Sequence, residues 1–314
     1  MNLHSIDISV VIPVSERFDD IQSTYKDYIN VLRALDKSFE VIYVLDGEFP
    51  EIRASLEKLQ SEGEPITIIQ LAKWFGEATA LTAGFDNANA DVILTLPAYK
   101  QVEAQDIPKV LQALDTHDMA IARRWPRVDS KINQLQAKVF HGLLKIFTGS
   151  EFKDLGCAVR AFKRQVATEI PVYGDQHRFF PVLASRRGFK IAEVDVPQSK
   201  QDRNLRLYAV GVYPRRLLDI MTVFFLVKFT KKPLRFFGLL GLGTFAIGGI
   251  FLLYLLIERL FFGEALADRP ALLLSSLLVV LGVQIFALGL IGELIIFTHA
   301  KEMKEYTVEK IVNE

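Results

Sequence analysis

The sequence predicts an α/β domain built on a mostly parallel sheet, followed by a pair of membrane-spanning helices. Three observations carry this. Short β-branched runs alternate with amphipathic helical stretches through the first third of the chain. Several of those runs end on turn residues, as at Pro13, Asp46-Gly47 and Pro97. Finally, Phe236–Ile257 and Ala271–Phe297 are almost free of charge, and each exceeds the roughly 20 helical residues needed to cross a hydrocarbon core.

Ile8–Pro13, Phe39–Leu45, Ile66–Leu71 and Val92–Leu96 read as strands, and Ser23–Leu35, Glu51–Glu62 and Glu77–Ala88 as the helices between them. The alternation places helices on both faces of a parallel sheet. Ligands of such sheets sit beyond the carboxyl ends of the strands, so Pro13-Val14-Ser15-Glu16, Asp46-Gly47-Glu48 and Pro97–Gln101 are expected to converge on one crevice. A strand at Met119–Ala122, a helical tract at Lys131–Phe147 and the segment Asp154–Phe162 follow. A helix from about Gly174 to Arg187 is expected to stop at Gly188, before a strand at Ile191–Val196. Tyr213–Phe229, basic and rich in aromatic residues, has the pattern of an interfacial helix, or of one that packs on the preceding domain. Lys231-Lys232-Pro233 is the expected hinge. The domains are therefore residues 1–210 for the sheet domain, 211–234 for the juxtamembrane helix and hinge, 235–300 for the transmembrane hairpin and 301–314 for a cytoplasmic tail.

With 37 basic and 37 acidic residues in 314, the net charge is zero, which argues against nucleic acid as a partner. Locally, Lys228, Lys231, Lys232 and Arg235 precede the first span and Lys301, Lys304 and Lys310 follow the second, while the Glu258–Arg269 loop is mixed in sign. The positive-inside tendency places the sheet domain and both termini in the cytoplasm. Met1–Asp7 lacks the apolar run of a secretory leader, so attachment is expected from the C-terminal third. The lone Cys157 has no partner for an intramolecular disulfide and reads as a packing residue.

Val10-Val11-Ile12-Pro13-Val14, Val44-Leu45-Asp46-Gly47-Glu48, Phe75-Gly76 with Ala80-Leu81-Thr82-Ala83-Gly84, Asp154-x-Gly156-Cys157-x-x-Arg160, His177–Pro181 and Arg187-Gly188-Phe189 occur in an ordered series. Their order and spacing resemble the family 2 glycosyltransferases of the type A fold (GT-A, with a Rossmann-like sheet). Within these they resemble the polyprenyl-phosphate glycosyltransferases related to dolichol-phosphate mannose synthase. The resemblance implies a membrane enzyme, in a bacterial inner membrane, that transfers a sugar from a nucleotide donor to polyprenyl phosphate with inversion. Its expected partners are nucleotide sugar, polyprenyl phosphate, membrane lipids and a second copy of itself in a homo-oligomer. The sequence departs from the family pattern in three places. Ser15-Glu16 stands where Tyr-Asn-Glu usually begins, Leu45 replaces the first Asp of Asp-Asp-Gly-Ser, and Pro97-Ala98-Tyr99 replaces the metal-binding Asp-x-Asp.

Pro13, Glu16, Asp46, Gly76, Tyr99 and Gln101 are the expected nucleotide-sugar contacts, with Asp46 recognising the base or ribose. Asp154, the carboxylate expected on the acceptor side, and Arg124, one of the basic residues after the Met119–Ala122 strand, are the two expected catalytic residues. Arg123, Arg127, Lys200, Arg203 and Arg206 are the expected phosphate ligands, since guanidinium and ammonium groups bind phosphate directly. Neither Pro97 nor Tyr99 is a hard-cation ligand, so no cofactor is certain. Mg²⁺ or Mn²⁺ enters only through a relocated site, for which Glu103 and Asp106 are weak candidates because acidic residues are also ordinary in a first helical turn. The alternatives are a metal-independent transferase, and a catalytically silent homologue serving as a membrane scaffold or regulatory subunit.

Overall fold

The computed structural model describes residues 6–128, 138, 142, 145, 149, 151–170, 174–204, 218, 221–222, 233–263 and 270–299, without the side chains of 174–176, 203–204 and 299. Two compact units account for the chain, 1–223 with 306–314, and 224–305.

In the first unit, β1 (Ile8–Val14), α1 (Ile21–Arg33), β2 (Phe39–Leu45), α2 (Pro50–Ser61), β3 (Ile66–Gln70), α3 (Glu77–Asn87) and β4 (Val92–Thr95) alternate as the periodicity predicts. After them come α4 (Ile107–Gln112), β5 (Met119–Arg124), β6 (Arg160–Lys163), α5 (Arg164–Glu169), α6 (Phe180–Arg187) and β7 (Ile191–Val196). One seven-stranded sheet results, in the order β3-β2-β1-β4-β6-β5-β7. Every pairing is parallel except those of β6, which runs antiparallel to both β4 and β5. All seven residues of β1 and the last five of β2 are buried, the near-continuous apolar pattern of parallel strands covered on both faces.

The expected helix over 174–187 is divided into a 3₁₀ segment, Gly174–Phe179, and α6. Pro181 lies in the first turn of α6, the position where a ring without an N–H is tolerated, and this sets the start of the α-helix. Gly188 ends it in the left-handed region (φ 98°). Of the helical tract expected at 131–147 and the interfacial helix expected at 213–229, only isolated residues are described, and hinge residues 231–232 lie outside the described residues.

The strand order reverses between β1 and β4, a topological switch point. There β4 is level with Val11, and the chain beyond each strand is bonded to the other. The Asp19 N–H donates to the Ala98 carbonyl (2.9 Å), and the Lys100 N–H to Asp19 Oδ2 (2.9 Å).

The second unit contains α7 (Pro233–Phe262) and α8 (Pro270–His299), with mean hydropathy 2.2 and 2.5 over their most apolar windows, long and apolar enough to cross a membrane. Glycines bring the two backbones together. A Cβ on Gly241 would lie 2.6 Å from the Phe286 nitrogen, and one on Gly282 2.5 Å from the Phe245 nitrogen. Glu293 of α8 accepts the Leu234 N–H (3.3 Å), satisfying a donor at the start of α7. Leucine, isoleucine and phenylalanine side chains face outward along both helices.

Candidate active site

The carboxyl ends of β1, β2, β4, β5 and β7 share one side of the sheet, and buried ion pairs lie just beyond them. Arg124, the last residue of β5, donates from Nε to Asp154 Oδ2 (2.7 Å) and from Nη2 to Asp154 Oδ1 (2.8 Å), while its backbone N–H reaches Oδ2 at 3.1 Å. Only 1% and 2% of the two side chains remain exposed. Burial alone would raise the Asp154 carboxyl, but the adjoining guanidinium outweighs it and holds the group well below the usual carboxylate range. Burial likewise opposes the charge on Arg124, and Asp154 more than restores it. The two expected catalytic residues are thus brought together, with each occupying the other.

The same guanidinium reaches Asp202 through Nη1 (3.4 Å). Asp202, wholly buried, also accepts from Gln198 Nε2 (2.7 Å) and from Arg17 Nη1 (2.7 Å). An alternating line of charge, Arg17–Asp202–Arg124–Asp154, therefore runs past the ends of these strands. Neither Arg17 nor Asp202 was among the residues expected from the sequence. The only prior signal for either was its place in a loop beyond a strand.

Tyr99 stands beside this line, its ring 3.8 Å from the Arg17 guanidinium carbon. Its carbonyl and that of Pro97 both accept from the buried Tyr28 hydroxyl, at 3.0 and 3.1 Å. Gln101 is buried and fully engaged. Its Oε1 accepts the Ala158 N–H (2.7 Å), and its Nε2 donates to the Tyr99 hydroxyl (3.0 Å) and the Gly156 carbonyl (3.3 Å). It joins the β4 loop to the segment before β6. Cys157, packed below, has its thiol pushed up to about 11 by burial.

Asp46 is buried at the end of β2, and both its oxygens accept backbone N–H groups, from Phe75 (2.7 Å) and Gly76 (2.9 Å). It fixes the loop before α3, where Gly76 adopts φ 99°. That loop presents Trp74 and Phe75, 61% and 48% exposed. Pro13 is buried within β1, and Glu16 is exposed beside Arg17. The basic residues are distributed differently. Arg123 pairs bidentately with Asp195, Arg127 is half-buried, Lys200 is exposed, and the side chains of Arg203 and Arg206 lie outside the described residues. His177 is buried against Glu77 (Nε2 to Oε2, 3.3 Å), and its carbonyl accepts from Arg160 Nη1 (2.5 Å).

The residues after β4 do not fit a divalent cation. The Pro97 side chain has no ligand atom and its carbonyl is engaged by the Tyr28 hydroxyl, Ala98 is apolar, and the Tyr99 hydroxyl is held by Gln101 under a guanidinium. Asp106 pairs with Lys109, and Glu103 begins the turn leading to α4. Among the described residues, no three His, Cys, Asp or Glu side chains gather in a metal-holding group.

A family model described as "Glycosyl transferase family 2" matches residues 9–170. An undecaprenyl-phosphate 4-deoxy-4-formamido-L-arabinose transferase of Pectobacterium atrosepticum is 30% identical, with 98% of this chain and 94% of that protein covered. A dodecaprenyl-phosphate galacturonate synthase of Rhizobium johnstonii is 25% identical over 99% of this chain and 95% of its own. Among solved structures, a glucosyl-3-phosphoglycerate synthase from Mycobacterium tuberculosis in complex with Mg²⁺ and uridine diphosphate superposes with TM-score 0.51 at 16% identity. It covers 70% of this chain and 79% of that one, a likeness of GT-A fold alone.

Proposed function

The chain belongs to glycosyl transferase family 2, and on that premise we propose that it transfers a sugar from a nucleotide-sugar donor to polyprenyl phosphate at the cytoplasmic face of a bacterial inner membrane. The observation that supports this most is the extent of the match to the Pectobacterium protein. It runs through the helical hairpin as well as the sheet domain, so the part that would meet a lipid is shared together with the part that would hold a nucleotide.

The chemistry is an inverting displacement. A lipid phosphate oxygen attacks the anomeric carbon as the bond from that carbon to the donor diphosphate breaks, and the nucleoside diphosphate leaves with the electron pair. An ionised phosphate needs little help from a general base, and charge on the leaving diphosphate becomes the main demand. This suits the ion pairs of the crevice. Asp154 has both oxygens committed to Arg124 and acts through position, holding that guanidinium and the end of β5 in place. Asp46 acts similarly by shaping the loop that presents Trp74 and Phe75, whose exposed faces offer a surface on which a base can stack. Pro13, Glu16, Gly76, Tyr99 and Gln101 frame the donor crevice, and among the expected phosphate ligands the exposed Lys200 adds positive charge towards the phosphates, whereas Arg123 is already neutralised by Asp195.

The test is glycolipid formation by the detergent-purified full-length protein, with undecaprenyl phosphate and a panel of nucleotide sugars. Product from one donor is expected. Donor binding without glycolipid from any donor would overturn the transferase reading in favour of the scaffold.

A further inference from the structure

We propose that Arg17 takes over the task of a metal ion, its Nε–Nη2 edge binding the diphosphate of the donor, so that this transferase works without a divalent cation. The proposal rests on the transferase reading above and names the group that meets the leaving charge.

A guanidinium has two edges that can grip an anion, and in Arg17 they are treated differently. Nη1 is anchored on Asp202 Oδ1 at 2.7 Å. Nε and Nη2, the pair forming the side-on fork, are buried from water and make no hydrogen bond. Buried donors are nearly always satisfied, and two on one side chain are an unusual expense unless a ligand completes them. Two parallel N–H groups match two oxygens of a phosphate, the bidentate arrangement for which arginine is suited.

The location fits the task. Arg17 leaves the end of β1 at the switch point, and its guanidinium lies over Tyr99, three residues beyond Leu96 on the β4 side of the same crevice. The Asp-x-Asp pattern would place a carboxylate at 99. A carboxylate there would neutralise Arg17, whereas a tyrosine ring supports the cation on its face and leaves its donors uncommitted. Arg17 and Tyr99 are thus physically matched, a cation in the loop after β1 and an aromatic platform in the loop after β4. A second, doubly charged ion beside Arg17 would be repelled. The surrounding charges are ordered to hold the arrangement, because Asp202 is shared with Arg124, Arg124 is neutralised by Asp154, and Lys100 pairs with Asp27.

The experiment is calorimetric titration of the full-length protein in detergent with UDP, GDP and inorganic pyrophosphate, in excess EDTA and again with MgCl₂. At least one diphosphate is expected to bind in EDTA, with affinity changed less than about twofold by magnesium. Arg17→Lys keeps the charge and one bond to Asp202 but loses the fork, and is expected to weaken diphosphate binding about tenfold, the scale of one charge-assisted hydrogen bond. The corresponding nucleoside without phosphate should bind both proteins alike. Arg17→Ala is expected to lose more, with its melting temperature recorded to confirm that it is folded. If it is not, Arg17→Lys decides. Diphosphate binding that requires magnesium, or that Arg17→Lys leaves unchanged, would overturn the proposal while glycolipid formation by the parent protein kept the transferase reading intact. Absence of both binding and glycolipid would overturn the two together.

Discussion

Asp154 and Arg124 illustrate how a buried charge is made tolerable by a single partner. Removing one member leaves the other ionised in a place water does not reach, which typically costs about 3–5 kcal/mol, far more than the pair's net contribution to stability. Asp154→Asn is therefore expected to lower the unfolding free energy by about that amount, read by chemical denaturation of the detergent-solubilised protein. The pH dependence has a defined sign. The folded carboxyl titrates below its unfolded value of about 3.9, so its contribution is fully present above that pH and is lost as pH falls towards the depressed value. The gap between parent and Asp154→Asn should be flat from about pH 5 to 8 and should narrow only below about pH 4. Cys157 gives a second expectation at this scale. Its thiol is buried and pushed up to about 11, so a water-soluble thiol reagent at pH 8 should leave the native protein unlabelled and modify one site after denaturation. Motif order made Asp154 legible in the sequence, and the basic run after the Met119–Ala122 strand made Arg124 so, but their mutual pairing was not. Arg17 and Asp202, 185 positions apart, are joined only by the fold, and no local pattern in the chain connects them.

At the level of elements, α3 sets how closely the helical layer lies on the centre of the sheet. An ideal Cβ on Gly84 would fall 2.3 Å from Val11 Cγ1 and 3.3 Å from Val44 Cγ2, so the helix rests on β1 and β2 through its missing side chain. Gly84→Ala sets a helix-propensity gain of up to about 1 kcal/mol against an overpacking cost of about 1–3 kcal/mol. Valine is stiff about χ1 and cannot swing away, so the overpacking is expected to prevail. The variant should melt at a lower temperature, and Val11→Ala in the same chain should recover part of the loss; additive losses in the double variant would show that the contact does not decide the spacing. Elements of this kind were largely legible, because periodicity reports whether a segment is helix or strand and glycine or proline reports its ends. Ile191–Val196 was read residue for residue, and β1 to β4 within two residues at either end. Partners were not legible. Nothing in Arg160–Lys163 announces that it inserts antiparallel between β4 and β5, since hydrophobic alternation carries no information about the neighbouring strand. The division of 174–187 turned on Pro181, whose ring is compatible with the first turn of a helix and not with its interior.

For the molecule as a whole, the distribution of charge matters more than its sum. A net charge of zero conceals lysines and arginines gathered on both outer flanks of the hairpin, with a mixed-sign loop between its two helices. Anionic headgroups and the insertion machinery both favour cationic flanks on the cytoplasmic side, and two spans return the chain to the face it left. The topology this predicts has the sheet domain on the face where nucleotide sugars are made, with the loop between the two spans on the opposite face. The single cysteine makes this directly measurable, because the parent protein supplies a silent background. Ala265→Cys in intact spheroplasts is expected to react with a membrane-impermeant maleimide, whereas Asn2→Cys should react only after permeabilisation. Labelling of Asn2→Cys in sealed cells would invert the orientation and separate the enzyme from its donor pool. Labelling of both would mean that the hairpin does not seal the chain across the bilayer, and the apolar faces of α7 and α8 would then require burial in an assembly of another kind.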